Sequence, residues 1–148
     1  MYRIAIDPGK SGALAWIDNE GIYHSENCPD TISEMADLAI KVFTESNGNS
    51  KAIIESVHAM SGQGVTSMFS FGENFGAWQG IISSLGIPII EVTPKKWQKI
   101  IGNLPKEKEE RKKAIKDYVQ KRIPYIKATL KNADAIAMLS VFGELWKE

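Results

Sequence analysis

Three acidic residues, Asp7, Glu55 and Asp134, sit where chemistry is most readily expected. Asp7 closes the apolar run IAID and is followed by Pro-Gly-Lys-Ser-Gly; Glu55 closes a second run, KAIIE; Asp134 lies near the start of the apolar segment NADAIAMLS. A buried strand gains nothing from a carboxylate at its end, so such a group needs an amide, a base or a cation as partner. Three carboxylates brought within a few ångströms repel one another and are costly to keep charged without a counter-charge. Divalent cations meet that need. Two of them, about 3.5–4 Å apart, activate a water, hold a phosphate and stabilise the departing oxygen. The chain has one cysteine, Cys28, and two histidines, His24 and His58, so its metal ligands would be mainly oxygen, which favours magnesium or manganese over zinc. The turn Gly9-Lys10-Ser11-Gly12 lets backbone come close to a phosphate and brings Lys10 and Ser11 with it. Each acid also has a plainer account. Asp-Pro-Gly is a common turn, and Asp134 suits the positive end of a helix dipole.

The elements that must position these residues follow from hydrophobic period and turn chemistry. Strands are expected at 2–7 (YRIAID), 12–18 (GALAWID), 22–25 (IYHS), 51–55 (KAIIE) and 87–92 (IPIIEV). Helices are expected from Thr31 to about Ser46, from Val65 to Leu85, over PKKWQKII, through a basic segment ending near Ile123-Pro124, and from Ala133 to Trp146. Thr31 with Glu34 forms a capping-box pattern, and Asn132 is placed to cap the last helix. Three strands joined by tight turns make an antiparallel meander, and the two helix-separated strands should add in parallel. The expected architecture is therefore α/β: a five-stranded mixed sheet with helices on both faces, the RNase H-like fold, in one domain of 148 residues. If strands one and four are parallel neighbours, Asp7 and Glu55 stand side by side at the carboxyl edge of the sheet. Asp134 then closes the group from the last helix.

The formal net charge is zero, yet the charges are segregated. Residues 95–131 carry 13 of the 18 Lys+Arg against four acids, while residues 1–94 carry four basic and 11 acidic residues. A local excess of that size attracts a polyanion, although a solvated helix face is the plainer alternative. On the basic helix Lys108, Arg111 (or Lys112) and Lys116 share a face at three- and four-residue spacing. No run reaches the ~20 apolar residues of a membrane span, and a lone cysteine fits a reducing cytoplasm. Phe71, Phe75, Trp78 and Ile82 recur at helical spacing and read as core, whereas Phe69 lies off that stripe and is placed to stack on a base. Gly72, Gly76 and Gly80 repeat every fourth residue, each costing roughly 1 kcal/mol relative to alanine in a helix. Such a row suggests a face that needs close approach by another helix, the sheet or a DNA backbone.

Together IAIDPGKSGALAW, AIIES, TSMFSFGENFGAWQGII, IPIIEVTPKKWQKIIG and NADAIAMLSVFG resemble the RuvC-type Holliday junction resolvases, in the compact form found in phages. The resemblance implies a homodimer that binds four-way DNA junctions and nicks two strands symmetrically with magnesium or manganese, and it favours the glycine row as the dimer contact. Asp7, Glu55 and Asp134 match the family's acids. Where the family often carries a further Asp or His one turn before the last Asp, this chain has Lys131; either it contacts the scissile phosphate instead, or the second metal is held by fewer protein ligands. Lys106 and Lys108 stand where the family has lysines near the scissile strand. The family's aromatic near the junction centre corresponds by local offset to His58, with Phe69 as the alternative. Two further readings share the fold: a YqgF-like nuclease acting on ribosomal RNA precursor, and a non-catalytic branched-DNA-binding protein. A sugar-kinase or actin-like phosphotransferase shares the Asp-x-Gly hairpin but needs two such domains.

Overall fold

The computed structural model describes residues 1–56, 58 and 61–147. Five strands form one sheet, β1 (Tyr2–Asp7), β2 (Ala13–Ile17), β3 (Tyr23–Asn27), β4 (Ser50–Glu55) and β5 (Ile89–Val92), in the order β3-β2-β1-β4-β5. The first three are antiparallel neighbours, and β4 and β5 add in parallel, so the expected mixed sheet is the one observed. Helices α1 (Ile32–Glu45), α2 (Val65–Ser84), α3 (Pro94–Ile101), α4 (Lys108–Arg122), α5 (Ala133–Ser140) and α6 (Phe142–Leu145) cover it.

Strand side chains alternate between two faces, and each face has its own core. Ala5, Ala13, Ala15, Ile17, Ile53 and Val92 pack beneath Trp97, Ile115, Val119 and the apolar residues of α5. Ile4, Ile6, Leu14, Trp16, Ala52 and Ile54 pack against Met35, Leu38, Val42, Trp78 and Ile82 from α1 and α2. Because both faces are covered, the central strands read as continuous apolar runs rather than an alternating pattern. The period also fixes where the terminal acids point: Asp7 shares its face with Ala5, and Glu55 with Ile53. Both belong to the face covered by α3 and α5.

Three local features depart from expectation. The last helix is divided at Val141, whose backbone leaves helical geometry (φ −114°, ψ 19°). Just before it the Ser140 hydroxyl donates to the Ala137 carbonyl (2.7 Å) and meets the Tyr118 hydroxyl (3.0 Å), the kind of side-chain bond that bends a helix. Asn132 occupies the N-cap position of α5 without capping it. Its amide instead accepts from the Thr129 N–H (2.8 Å) and donates to the Lys127 carbonyl (3.0 Å), which folds the loop before α5 onto itself. Third, two strands differ in extent: β3 runs from Tyr23 to Asn27, one residue later at its start than expected and two at its end, and β5 begins at Ile89, two residues after its expected start. Thr31 does cap α1, accepting from the Glu34 N–H at 3.1 Å.

The β1–β2 connection is tight. A Cβ built on Gly12 would lie 1.9 Å from the Asp7 carbonyl oxygen, and Gly9 has φ +107°. Since the clash is with backbone, no rotamer relieves it. Gly12→Ala should therefore destabilise the protein by more than about 2 kcal/mol, as read from its urea midpoint; a midpoint equal to wild type would show that the turn is not held this way.

Candidate active site

Parallel pairing of β1 with β4 matches Ile6 to Ile54 and so sets Asp7 beside Glu55 at the carboxyl edge. Helix α5 packs on β1 and β2 and delivers Asp134 from its first turn. All three acids line one cavity of about 880 Å³. Its remaining wall comes from the β1–β2 turn (Pro8, Gly9, Lys10, Ser11, Gly12), from the start of α2 (Thr66, Ser67, Ser70, Phe71), from α4 (Lys108, Lys112), and from Leu130 and Lys131 ahead of α5.

Charge is layered in this cavity. The acids form the floor: Glu55 is buried, and Asp7 and Asp134 are partly buried. The four lysines form the rim, each exposed. Among the described residues no ion pair joins rim to floor. Burial, then the charges of Glu55 and Asp134, hold the Asp7 carboxyl well above the usual carboxylate range, with Lys112 opposing. Burial raises Glu55 to about 7 against a hydrogen bond from Trp97, and the charge of Asp134 adds to the rise. Burial also raises Asp134, opposed by Lys112 and Arg111. The floor therefore holds carboxyls that are poorly compensated by the protein's own cations.

Among the described residues no group of three or more His, Cys, Asp or Glu side chains is poised, as placed, to hold a metal ion. The donor chemistry still fits a hard divalent cation. Three carboxyls share one cavity floor, two of them have among the described residues no hydrogen-bonding partner that lowers their pKa, and all are pushed towards neutrality by burial. Magnesium keeps several waters and needs only one or two carboxylates, so a closed protein cage is not required.

The sequence-derived candidates divide as follows. Asp7, Glu55, Asp134, Lys10, Ser11, Lys108, Lys112 and Lys131 come together in the cavity. Lys106, Arg111, His58 and Phe69 are not part of its lining. Arg111 donates to the Lys106 carbonyl (2.8 Å) and acts on Asp134 only through its charge, so Lys112 rather than Arg111 continues the face begun by Lys108. Phe69 is 73% exposed on α2, and His58 is exposed between residues outside the described set. Phe71 is a correction. It belongs to the cavity wall, its ring 3.2 Å from where a Gly9 Cβ would stand, while Trp78 and Ile82 are core as expected. Sequence reading also missed Thr66, Ser67 and Ser70, although with Phe71 they fall at i, i+1, i+4 and i+5 on one face. It missed Asn74 too, whose side-chain oxygen accepts the Gly9 N–H at 2.6 Å and ties the turn to α2.

No protein-family model matches the chain, and no curated relative does. Among solved structures, Thermus thermophilus RuvC in complex with a Holliday junction substrate aligns over 99% of this chain and 96% of its own, with TM-score 0.68 and 14% identity. The chain has the RuvC fold. A second Thermus thermophilus RuvC structure agrees, at TM-score 0.63 and 17% identity over 98% of this chain and 96% of its own. That RuvC-like, RNase H-type scaffold accounts for the sheet order and for the covering helices. At such identities the activity must be argued from the site itself.

The raised pKa of Glu55 gives a stability test. The folded chain binds this proton more tightly than the unfolded chain, so the burial penalty is absent below about pH 4.5 and complete above about pH 7. In EDTA, stability should fall across that window by about 3 kcal/mol from Glu55 alone, and Glu55→Gln should make the fall smaller, leaving the part due to Asp7 and Asp134. Urea midpoints at several pH values read this directly, and stability that rises with pH would contradict the assignment.

Proposed function

We propose that this protein is a metal-dependent endonuclease that cuts branched DNA, nicking opposed strands of a four-way junction as a homodimer. The observation that carries the reading is one cavity with an acidic floor and a lysine rim on a RuvC-like scaffold. An acidic floor alone would suit many cations, and a lysine rim alone many anions. Their layering suits a phosphodiester held against metal.

Asp7, Glu55 and Asp134 would hold magnesium or manganese, two ions per site. When bound, these supply an activated water and neutralise charge on the scissile phosphate and the departing 3′ oxygen. The chain's own groups do the rest. Lys10, Lys108, Lys112 and Lys131 draw the strand across the floor and fix its phosphates as point charges. Ser11, Thr66, Ser67 and Ser70 offer hydroxyls to phosphate oxygens along the wall. The P–O3′ bond breaks, leaving a 5′ phosphate and a 3′ hydroxyl. Lys131, three residues ahead of Asp134, cannot ligate metal while protonated and takes the phosphate instead. Lys106 and Arg111 lie outside the cavity and serve a more distant stretch of backbone.

The dimer rests on α2. Cβ atoms added at Gly72, Gly76 and Gly80 would meet nothing within 4 Å, so the row faces open space in one copy. Three helix-interior glycines cost stability, and a second copy's helix approaching closely offsets that. A two-fold dimer matches a substrate of near two-fold symmetry. Val65, 84% exposed, and Phe69 lie at the same end of the helix, where Phe69 is available to stack on bases at the junction centre.

Purified protein with magnesium should nick a labelled four-way junction at paired symmetric positions and spare linear DNA and an RNA hairpin. Cutting of RNA alone would favour ribosomal RNA processing, and binding without cutting a non-catalytic role. Asp7→Asn should abolish cleavage and keep junction binding; retained cutting removes Asp7 from the metal site. Lys112→Ala should weaken junction binding and lower the slope of log K against log salt by about 1, measured by titration across salt concentrations.

A further inference from the structure

Glu55 differs from the other two acids of the floor. It has one more rotatable bond than aspartate, so it loses more freedom when held in a single geometry. It is also the acid given a hydrogen bond: the Trp97 indole N–H donates to its Oε2 at 2.6 Å. Trp97 is 0% exposed and Glu55 8%, so water does not compete for the contact. A short bond from N–H to an ionised oxygen is among the stronger hydrogen bonds available to a side chain.

The bond is held by a closed circuit of local structure. Glu55 pairs with Val92 at the end of β5, and the Ser56 N–H donates to the Val92 carbonyl at 2.8 Å. Thr93 then caps α3 by accepting from the Lys96 N–H at 3.2 Å, with Pro94 opening the helix. One turn later Trp97 reaches back over the sheet edge to Glu55. A buried indole usually finds an acceptor, and a backbone carbonyl would satisfy it equally well. Here the acceptor is an acid of the site, which immobilises the longest of the three acidic arms.

We infer that Trp97 is a positioning residue: its indole N–H holds Oε2 of Glu55 and thereby presents Oε1 to the cavity floor. This rests on the metal-binding role given to Glu55 above. Groups that orient a metal ligand commonly change metal affinity 10- to 100-fold when lost. Trp97→Phe keeps the aromatic volume and removes only the donor. In calorimetric titrations of the full chain with Mn2+ alone, Trp97→Phe should bind Mn2+ about tenfold more weakly than wild type. Trp78→Phe, a change at the other fully buried tryptophan in the opposite core, should lose stability yet keep wild-type Mn2+ affinity. Equal Mn2+ affinity in wild type and folded Trp97→Phe overturns the inference while leaving the nuclease reading in place. Wild type that binds no Mn2+ overturns both. Should Trp97→Phe not fold, the indole N–H resonances of the wild-type protein decide. The one that shifts in Glu55→Gln should also move as Mg2+ is added, and its standing still overturns the inference.

Discussion

The burial of three neighbouring carboxyls, Asp7, Glu55 and Asp134, is the constraint on which the rest of the structure turns. Each is raised by burial, and the neighbouring acids add to the rise at Asp7 and Glu55. A fold that seeks only stability would disperse these groups to solvent. This one gathers them at the carboxyl edge of a fully covered sheet. The parallel β1–β4 pairing makes the gathering unavoidable, because a shift of one residue would turn Asp7 or Glu55 to the other face. The apolar neighbours Ala5, Ile6, Ile53 and Ile54, all at 0% exposure, hold that register against slippage.

The site is braced from both sides of the sheet. Trp97 rises from the core beneath α3–α6 and takes an oxygen of Glu55. Asn74 projects from α2 on the opposite core, accepts the Gly9 N–H, and approaches Cys28 Sγ at 3.3 Å through its amide nitrogen. The floor is thus fixed through one hydrophobic layer and the β1–β2 turn through the other. Distortion of either layer reaches the cavity, so geometry at the site reports on packing across the whole sheet.

Much of this could be read from the chain because strand ends and strand order obey strong local rules. Asp7 and Glu55 follow unbroken apolar runs, and a meander followed by helix-separated strands leaves few ways to order a sheet. Asp134 stood out as the acid in an otherwise apolar helix start. What escaped has a physical cause in each case. Phe71 shares helical spacing with Trp78 and Ile82, and spacing alone does not separate the wall of a cleft from a core. Trp97 is core by burial, and its bond to Glu55 lies in where one N–H points, which no pattern of residue types records. Asn74 and the hydroxyls of Thr66, Ser67 and Ser70 acquire meaning only once the β1–β2 turn is seen against α2. Asn132 carries a cap's residue type, but the loop from Lys127 to Thr129 competes for the same amide and wins.

On the proposed reading, segregated charge in a chain of zero net charge has a direct physical use. With three carboxyls held towards their protonated forms, cation binding must displace protons, so the floor exchanges one for the other. Two divalent ions would then turn an acidic floor into one that joins the lysine rim in attracting phosphate. Without metal the floor, held towards neutrality by burial, adds little to the rim's attraction for a polyanion. With metal bound, both would act in the same direction. On the proposed reading, strand entry into the cavity would thereby be coupled to metal occupancy without any moving part, through burial that raises the acids and spacing that leaves the lysines apart from them.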